Sequence, residues 1–155
     1  MIRAVTTDYL SDAAKMIREE VFMREQGFRY EFDEIDAKAV CLVLYEESKP
    51  MACGRYFPGE ADGEYVAGRL AVLREYRGRK LGRRLLEEME KRILEAGGKR
   101  IILSAQVQAE GFYEKQGYVK SGAVYYDEEC EHIHMEKELC RNGLKMEEED
   151  GVAKR

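Results

Sequence analysis

Residues 77–82 read Arg-Gly-Arg-Lys-Leu-Gly, and the fold that we predict is built outward from them. The apolar run before them, residues 70–73, is typical of a strand, and residues 81–94 repeat leucine, methionine and isoleucine at helical spacing. A strand thus runs into a short basic loop that opens a helix. The first N–H groups of a helix lack partners and carry partial positive charge, and glycine lets the backbone approach a phosphate closely. We therefore predict a pyrophosphate site here, with a solvated basic turn as the alternative.

The loop matches neither of the two common phosphate-binding fingerprints. A P-loop requires Gly-x-x-x-x-Gly-Lys-Ser/Thr, and a dinucleotide-binding turn requires Gly-x-Gly-x-x-Gly after a strand. Neither spacing occurs at residues 77–82. The motif therefore favours a phosphate ligand of another class.

Length and composition predict a single globular domain at residues 1–140, followed by a polar tail at residues 141–155. The chain is 45% apolar and 37% charged, which is typical of soluble proteins. No apolar run approaches the roughly 20 residues that span a bilayer, so we predict no membrane partner. Met1-Ile2-Arg3 leads into a strand-like run, and the four cysteines show no Cys-x-x-Cys spacing. We therefore expect a cytoplasmic protein with reduced cysteines.

Positive charge is concentrated around the loop, although the chain as a whole has a net charge of −5. Residues 66–100 contain 11 basic and 5 acidic side chains, whereas the segments on either side are acidic. The same block contains a single aromatic residue, Tyr76. Nucleic-acid-binding proteins are more often basic throughout or interleave aromatic residues with the charges. We therefore predict a site for a small polyanion and no nucleic-acid partner.

Hydrophobic periodicity and turn residues predict the order β-α-β-β-β-α-β-α-β-β. Strands are expected at residues 2–5, 40–45, 51–57, 64–73, 100–105, 118–126 and 132–139. Helices are expected from Leu10 to about Met23, capped by Thr7-Asp8, and at residues 81–96 and 109–116. This order fits an α/β (α+β) fold, a mixed sheet of seven strands with helices on both faces.

Cys130, His132 and His134 alternate along the last strand, so they share one face. Thiolate and imidazole are ligands that zinc accepts, but a structural zinc site needs four. Because no fourth ligand is evident, we predict no metal site.

Two motifs then resemble a known superfamily. Residues 77–82 match the acetyl-CoA motif Arg/Gln-x-x-Gly-x-Gly/Ala of the GNAT N-acetyltransferases, except that Lys80 stands where the family usually has glycine. The second signature matches Phe112-Tyr113-Glu114-Lys115-Gln116-Gly117-Tyr118. The resemblance covers about residues 1–140 and implies a mostly antiparallel central sheet. Residues 21–27, 32–36, 68–73 and 132–137 further resemble the bacterial ElaA/YjcF-like branch.

The resemblance implies an enzyme that moves an acetyl group from acetyl-CoA to a primary amine, of a small molecule or a peptide, by direct attack in a ternary complex. It assigns cofactor contacts to Arg77, Gly78, Arg79, Lys80, Leu81 and Gly82, to the strand at Ala71, Val72 and Leu73, and to Gln106 and Tyr113. Tyr113 is the implied general acid for the departing thiolate, with packing or a hold on the sulfur as the alternative.

The general base and the acceptor site are less closely defined. Glu64 lies two residues before Val66, where relatives often place a strand glutamate, and it is our candidate base. Glu25, Asp33 and the two histidines are the alternatives.

The loop at residues 28–37 is acidic, with Glu31, Asp33, Glu34 and Asp36, and we expect it to be solvated. In relatives this loop lies at the substrate end, so it could instead attract a cationic amine. We place Glu25, Asp33 and Arg69 among the acceptor contacts, although Arg69 is favoured as a structural ion-pair residue.

Many relatives dimerise, so a homodimer is among the expected states. The alternative function is a catalytically silent module that senses acyl-CoA.

Overall fold

The computed structural model describes residues 1–127 and 130–139, which form seven strands and three α-helices in the predicted order. The strands are β1 (Ile2–Thr7), β2 (Val40–Glu46), β3 (Lys49–Pro58), β4 (Glu64–Val72), β5 (Arg100–Gln106), β6 (Val119–Asp127) and β7 (Cys130–Glu138). The helices are α1 (Asp12–Arg18), α2 (Leu81–Glu95) and α3 (Glu110–Lys115). The predicted tail at residues 141–155 lies outside the described residues.

The strands are hydrogen-bonded in the order β1-β2-β3-β4-β5-β7-β6. The pairs β1–β2, β2–β3, β5–β7 and β6–β7 are antiparallel, and β4–β5 is parallel. The predicted mixed, mostly antiparallel sheet is therefore confirmed. Within the described residues no helix is long and apolar enough to cross a bilayer.

By internal contacts the chain divides into two compact units, and the prediction of one domain over residues 1–140 stays a prediction. The first unit contains residues 1–57 and 67–89. Its core joins α1 and the π-helical segment after it to the strands, through Ala14, Ile17, Val21, Phe22, Cys41, Val43, Cys53, Ala71 and Leu73. Residues 41–44 of β2 are all buried, so both faces of this strand are covered. Burying each large apolar side chain contributes about 1.5–3 kcal/mol.

The first helix differs from its prediction at both ends. Ser11, and not Thr7-Asp8, caps it, because the Ser11 hydroxyl accepts the Ala14 N–H at 3.2 Å. The α-helix ends at Arg18, and the chain continues as a π-helix over Glu19–Glu25. π-Helical turns are rare, and they occur frequently at functional sites.

The second unit contains residues 58–66 and the chain from residue 90 onward, of which 90–127 and 130–139 are described. Its β4–β5 pairing comprises three residue pairs and ends at Val66 and Ile102, although β5 continues to Gln106. One face of β5 and β7 is apolar and buried, formed by Ile101, Leu103, Ala105, Ile133 and Met135. A 3₁₀ turn at Val107–Ala109 then leads from β5 into α3.

Candidate active site

The loop between β4 and α2 contains two residues in the left-handed region of backbone space. Gly78 has φ of 85° and Lys80 has φ of 60°. A side chain other than glycine costs about 1–2 kcal/mol in this conformation. Lys80 therefore adopts a backbone conformation for which glycine is suited.

The start of α2 is open to an anion. Its first helical bond joins the Arg84 N–H to the Lys80 carbonyl at 3.1 Å, so helix geometry gives the N–H groups of residues 81–83 no acceptor within the helix. Beside them lies a cleft of about 160 Å³, lined by Ile2, Arg79, Lys80, Leu81, Arg83, Arg84 and Glu87. Four of these seven lining residues are cations. Partial positive charge at the helix start and full charges around it favour a phosphate.

Arg77, the first residue of the motif, binds other parts of the protein. Its Nε donates to the Val72 carbonyl at 2.9 Å, and its two terminal nitrogens donate to the Glu25 carboxylate at 2.6 and 3.0 Å. Arg74 donates to the same carboxylate at 3.0 Å. Hydrogen bonds from Arg77 and Arg74 lower the pKa of Glu25 to about 2, and the bond to Glu25 raises the pKa of Arg77.

Arg79 is held more loosely. Its guanidinium donates to the Glu46 carboxylate at 2.9 and 3.2 Å, and both side chains are exposed. Exposed ion pairs contribute about 0–1 kcal/mol, so this pair can open when a competing anion arrives. Arg79 is therefore better placed than Arg77 to meet a phosphate.

The end of β4 has some of its backbone groups already engaged. The Leu73 N–H donates to the Met51 carbonyl at 3.0 Å, and the Val72 carbonyl accepts from Arg77. The side chains of Ala71 and Leu73 are buried in the core of the first unit. Earlier in the strand, Arg69 has φ of 53°, a strained conformation for a side chain other than glycine.

The prediction of a solvated acidic loop is wrong for Glu31 and Asp36. Glu31 is 5% exposed and accepts from Arg18, which is 2% exposed, at 2.9 Å. Asp36 accepts from Arg18 at 2.7 Å and from Arg55 at 2.9 Å. These carboxylates are drawn inward because buried guanidinium groups supply both charge and hydrogen bonds.

Arg18 and Arg55 were missed as partners of the acidic loop. Each stands in an apolar context, Arg18 next to Ile17 on α1 and Arg55 inside the apolar run 51–57 of β3. An arginine at a buried position requires a buried acid, which is the signal that could have revealed them.

Asp33 and Arg69 form the outer part of the same cluster, with side chains 34% and 29% exposed. Asp33 accepts from Arg55 at 2.8 Å, and chiefly this hydrogen bond lowers its pKa. Arg69 lies 2.8 Å from the Glu31 carboxylate and 3.5 Å from that of Asp33. Three arginines thus balance three carboxylates, so the cluster offers a cationic amine no net negative charge.

Tyr113 lies on α3 and contacts two aromatic rings. Its ring centroid is 5.0 Å from that of Phe112 and 5.9 Å from that of Tyr118, both edge-on. Burial raises the pKa of Tyr113 to about 12. The phenol therefore stays protonated at neutral pH and remains a hydrogen-bond donor.

Gln106 and Glu64 belong to the same unit as Tyr113. Gln106 ends β5, and its side-chain oxygen accepts from Gln108 at 2.6 Å. Glu64 opens β4 opposite Arg100, with 3.6 Å between its carboxylate and the guanidinium. That long contact leaves Glu64 weakly held.

The residues weighed as zinc ligands have other contacts. The His132 Nδ1 lies 2.9 Å from the Cys130 carbonyl, and the His134 Nε2 lies 3.1 Å from Glu136. Because a carbonyl only accepts, Nδ1 carries the proton of His132, and Nε2 holds the lone pair of the neutral ring. Residues 1–127 and 130–139 contain no group of three or more His, Cys, Asp or Glu side chains placed to hold a metal.

Comparison with known proteins agrees with this geometry. Residues 6–139 match the model of the acetyltransferase (GNAT) domain. The uncharacterized N-acetyltransferase YjcF of Bacillus subtilis is 34% identical over 138 residues, which cover 87% of this chain and 96% of YjcF. The crystal structure of Escherichia coli ElaA has a TM-score of 0.78 at 26% identity, covering 88% of this chain and 99% of ElaA. An acyl-CoA N-acyltransferase from Pseudomonas aeruginosa has a TM-score of 0.76 at 25% identity, with the same coverage. The chain belongs to the GNAT acetyltransferase family, in its ElaA/YjcF-like branch.

Proposed function

We propose that this protein transfers an acetyl group from acetyl-CoA to a primary amine by direct attack in a ternary complex. The observation that carries the proposal is the geometry of the loop at residues 77–80. Two of its residues have left-handed backbone conformations, and it leads into the start of α2 beside a cluster of cations. Family membership supports acyl-CoA as the donor, and the choice of acetyl is part of the proposal.

The residues of the loop fit a pyrophosphate. The N–H groups of Leu81, Gly82 and Arg83 would donate to its oxygens, and Arg79 and Lys80 would balance its charge. Apart from its two chain neighbours, no described residue has an atom within 4 Å of the position that a Cβ of Gly78 would occupy, so the backbone is open to close approach there. Acetyl-CoA, when bound, supplies the thioester that the amine attacks.

Tyr113 would hold a proton for the departing sulfur. Its raised pKa keeps the hydroxyl protonated, so Oη donates a hydrogen bond to sulfur as negative charge develops there. Replacing Tyr113 with Phe removes this donor and little volume. Turnover should fall by about 100-fold or more, with acetyl-CoA affinity unchanged within about twofold. Tyr126, which is 70% exposed, is the control: Tyr126→Phe should keep full turnover. Equal turnover in Tyr113→Phe and wild type would refute the role.

Glu64 would take the proton from the incoming ammonium. Glu25 and Asp33 are poorer bases, because arginine partners lower both of their pKa values. The test is the pH dependence of kcat/KM: in Glu64→Gln the acid limb should move or disappear. Glu138 is the matched control, since it is a second carboxylate paired with Arg100, at 3.4 Å, and its side chain is 70% exposed. A wild-type profile for Glu64→Gln, with the limb lost in His132→Gln, would transfer the role to the histidine.

Asp33 and Arg69 remain the proposed acceptor contacts, as the half-exposed members of the ion cluster. The balanced charge of this cluster favours an acceptor of low net charge over a polycation. The alternative function, a silent acyl-CoA sensor, was suggested by Lys80 in place of glycine and by Val66 at the position where relatives often have a strand glutamate. Lys80 adopts the left-handed conformation that glycine readily takes. A lysine at this position is therefore no reason to infer that the loop has lost its shape.

A further inference from the structure

Glu25 ends the π-helical segment Glu19–Glu25, and its carboxylate is only 17% exposed. It accepts three hydrogen bonds, two from Arg77 and one from Arg74. The two arginines lie on the short connection between the end of β4 and the start of α2. One carboxylate from a distant segment therefore clamps this connection.

The same contacts fix the direction of the Arg77 side chain. Its Nε, Nη1 and Nη2 all donate within the protein, two of them to Glu25 and one to the Val72 carbonyl. A guanidinium presents its donors as a rigid planar fork, so occupying all three nitrogens sets its plane. While this arrangement lasts, three of the five N–H donors of Arg77 tie the last residue of β4 to Glu25, and these protein contacts set the direction of its guanidinium.

We propose that Glu25 is a positioning residue for the phosphates of the acyl-CoA donor. Through Arg77 it fixes the end of β4 and the first residue of the loop, and so aims the free N–H groups at the start of α2. Arg77 acts in this scheme by holding the loop, and Arg79 and Lys80 make the charge contacts. The inference rests on the proposed function, and it moves Glu25 from the acceptor site to the donor site.

Two alternatives give opposite results in a binding experiment. If Glu25 only masks Arg77 from the ligand, Glu25→Gln releases the guanidinium and tightens binding. If Glu25 positions the loop, the same substitution loosens the loop and weakens binding, by about tenfold for the loss of charge-assisted hydrogen bonds. A phosphate contact weakens as salt screens it, whereas a positioning pair adds no net charge to the ligand site. The salt dependence of binding should therefore be the same in wild type and in Arg77→Lys, which keeps the charge, and shallower in Lys80→Gln.

The experiment is calorimetric titration of the full chain with acetyl-CoA at two ionic strengths. Glu20→Gln is the matched control, because Glu20 lies on the same π-helical segment and its contact with Arg24 is long, at 3.7 Å. It should bind like wild type. In an Arg77→Lys background, Glu25→Gln should cause no further loss, because Glu25 acts through Arg77.

Tighter or unchanged binding in Glu25→Gln, or a changed salt slope in Arg77→Lys, would overturn the positioning role. The role would also be overturned if the losses of binding free energy caused by Glu25→Gln and Arg77→Lys simply added up in the double variant. If Glu25→Gln does not fold, Arg77→Lys alone tests the proposal. This variant keeps the positive charge but loses the planar, forked set of donors of the guanidinium. The proposal then requires that acetyl-CoA binds more weakly, with an unchanged dependence on salt. Wild type that does not bind acetyl-CoA would instead count against the proposed function itself, so the two failures are distinguishable.

Discussion

Replacing Arg18 with methionine should remove much of the stability of the protein. Arg18 is 2% exposed, and its guanidinium donates to the Glu31 carboxylate at 2.9 Å and to both oxygens of Asp36 at 2.7 and 3.1 Å. It also donates to the Glu31 carbonyl at 3.1 Å and stacks over Phe32. Methionine fills much of the same space without these donors, so the change isolates the lost charge.

The size of the effect follows from the carboxylates that stay behind. Removing one partner of a buried ion pair costs about 3–5 kcal/mol, because the remaining charge is desolvated without compensation. A domain of ordinary stability has about 5–15 kcal/mol in all. The melting temperature should accordingly fall by about 6–20 °C.

Urea denaturation at pH 7, followed by far-UV circular dichroism, measures the free energy of unfolding. Arg24→Met is the control, since Arg24 is 80% exposed and should cost less than about 0.5 kcal/mol. The deficit of Arg18→Met should shrink as the pH falls. Burial already raises the pKa of Glu31, and losing Arg18 raises it further, so the native state takes up the proton before the unfolded chain does. A free energy of unfolding within about 1 kcal/mol of wild type would refute the cluster's role.

Three further outcomes are expected. Glu25 has a folded pKa of about 2 against an ordinary 4.5, so its stabilising contribution is present above pH 4.5 and lost as the pH falls to about 2; acid titration of stability should therefore show a steeper loss in wild type than in Glu25→Gln. Gly78→Ala should cost about 1–2 kcal/mol in urea denaturation from its left-handed backbone, because open space surrounds the new methyl group; no cost would contradict the loop conformation. Lys80→Gly relieves the same strain but adds unfolded-chain entropy, so stability should change by less than about 1 kcal/mol, and a larger loss would show that the lysine side chain holds the loop.

The order of elements could be predicted from the sequence because its signals are local. Strand and helix periods differ, and Gly97-Gly98 and Gly117 mark the ends of helices. The glycine-bearing basic loop before α2 was predictable for the same reason, since its glycines, its cations and the helix after it lie within a few residues; its binding of a phosphate stays a prediction. The Lys80 conformation agrees with the family motif, although lysine itself gives no signal for a left-handed backbone.

The partners of the charged side chains could not be predicted, because they lie far apart in the chain. Glu25 meets Arg77 across 52 residues, and Asp33 meets Arg55 across 22. A one-dimensional pattern shows an acidic loop and a basic loop but not which charges are buried together. For this reason Glu31 was expected in solvent, and the pairing of Arg77 with Glu25 was not foreseen.

The most direct test of the proposed acetyl transfer is thiol release from acetyl-CoA, measured with panels of small amines, amino sugars, polyamines and peptides. The account predicts release with one class of amine, stoichiometric acetylation of that amine by mass spectrometry, and loss of turnover in Tyr113→Phe. Tight binding of acetyl-CoA without release from any class would contradict it, and would favour an acyl-CoA sensor.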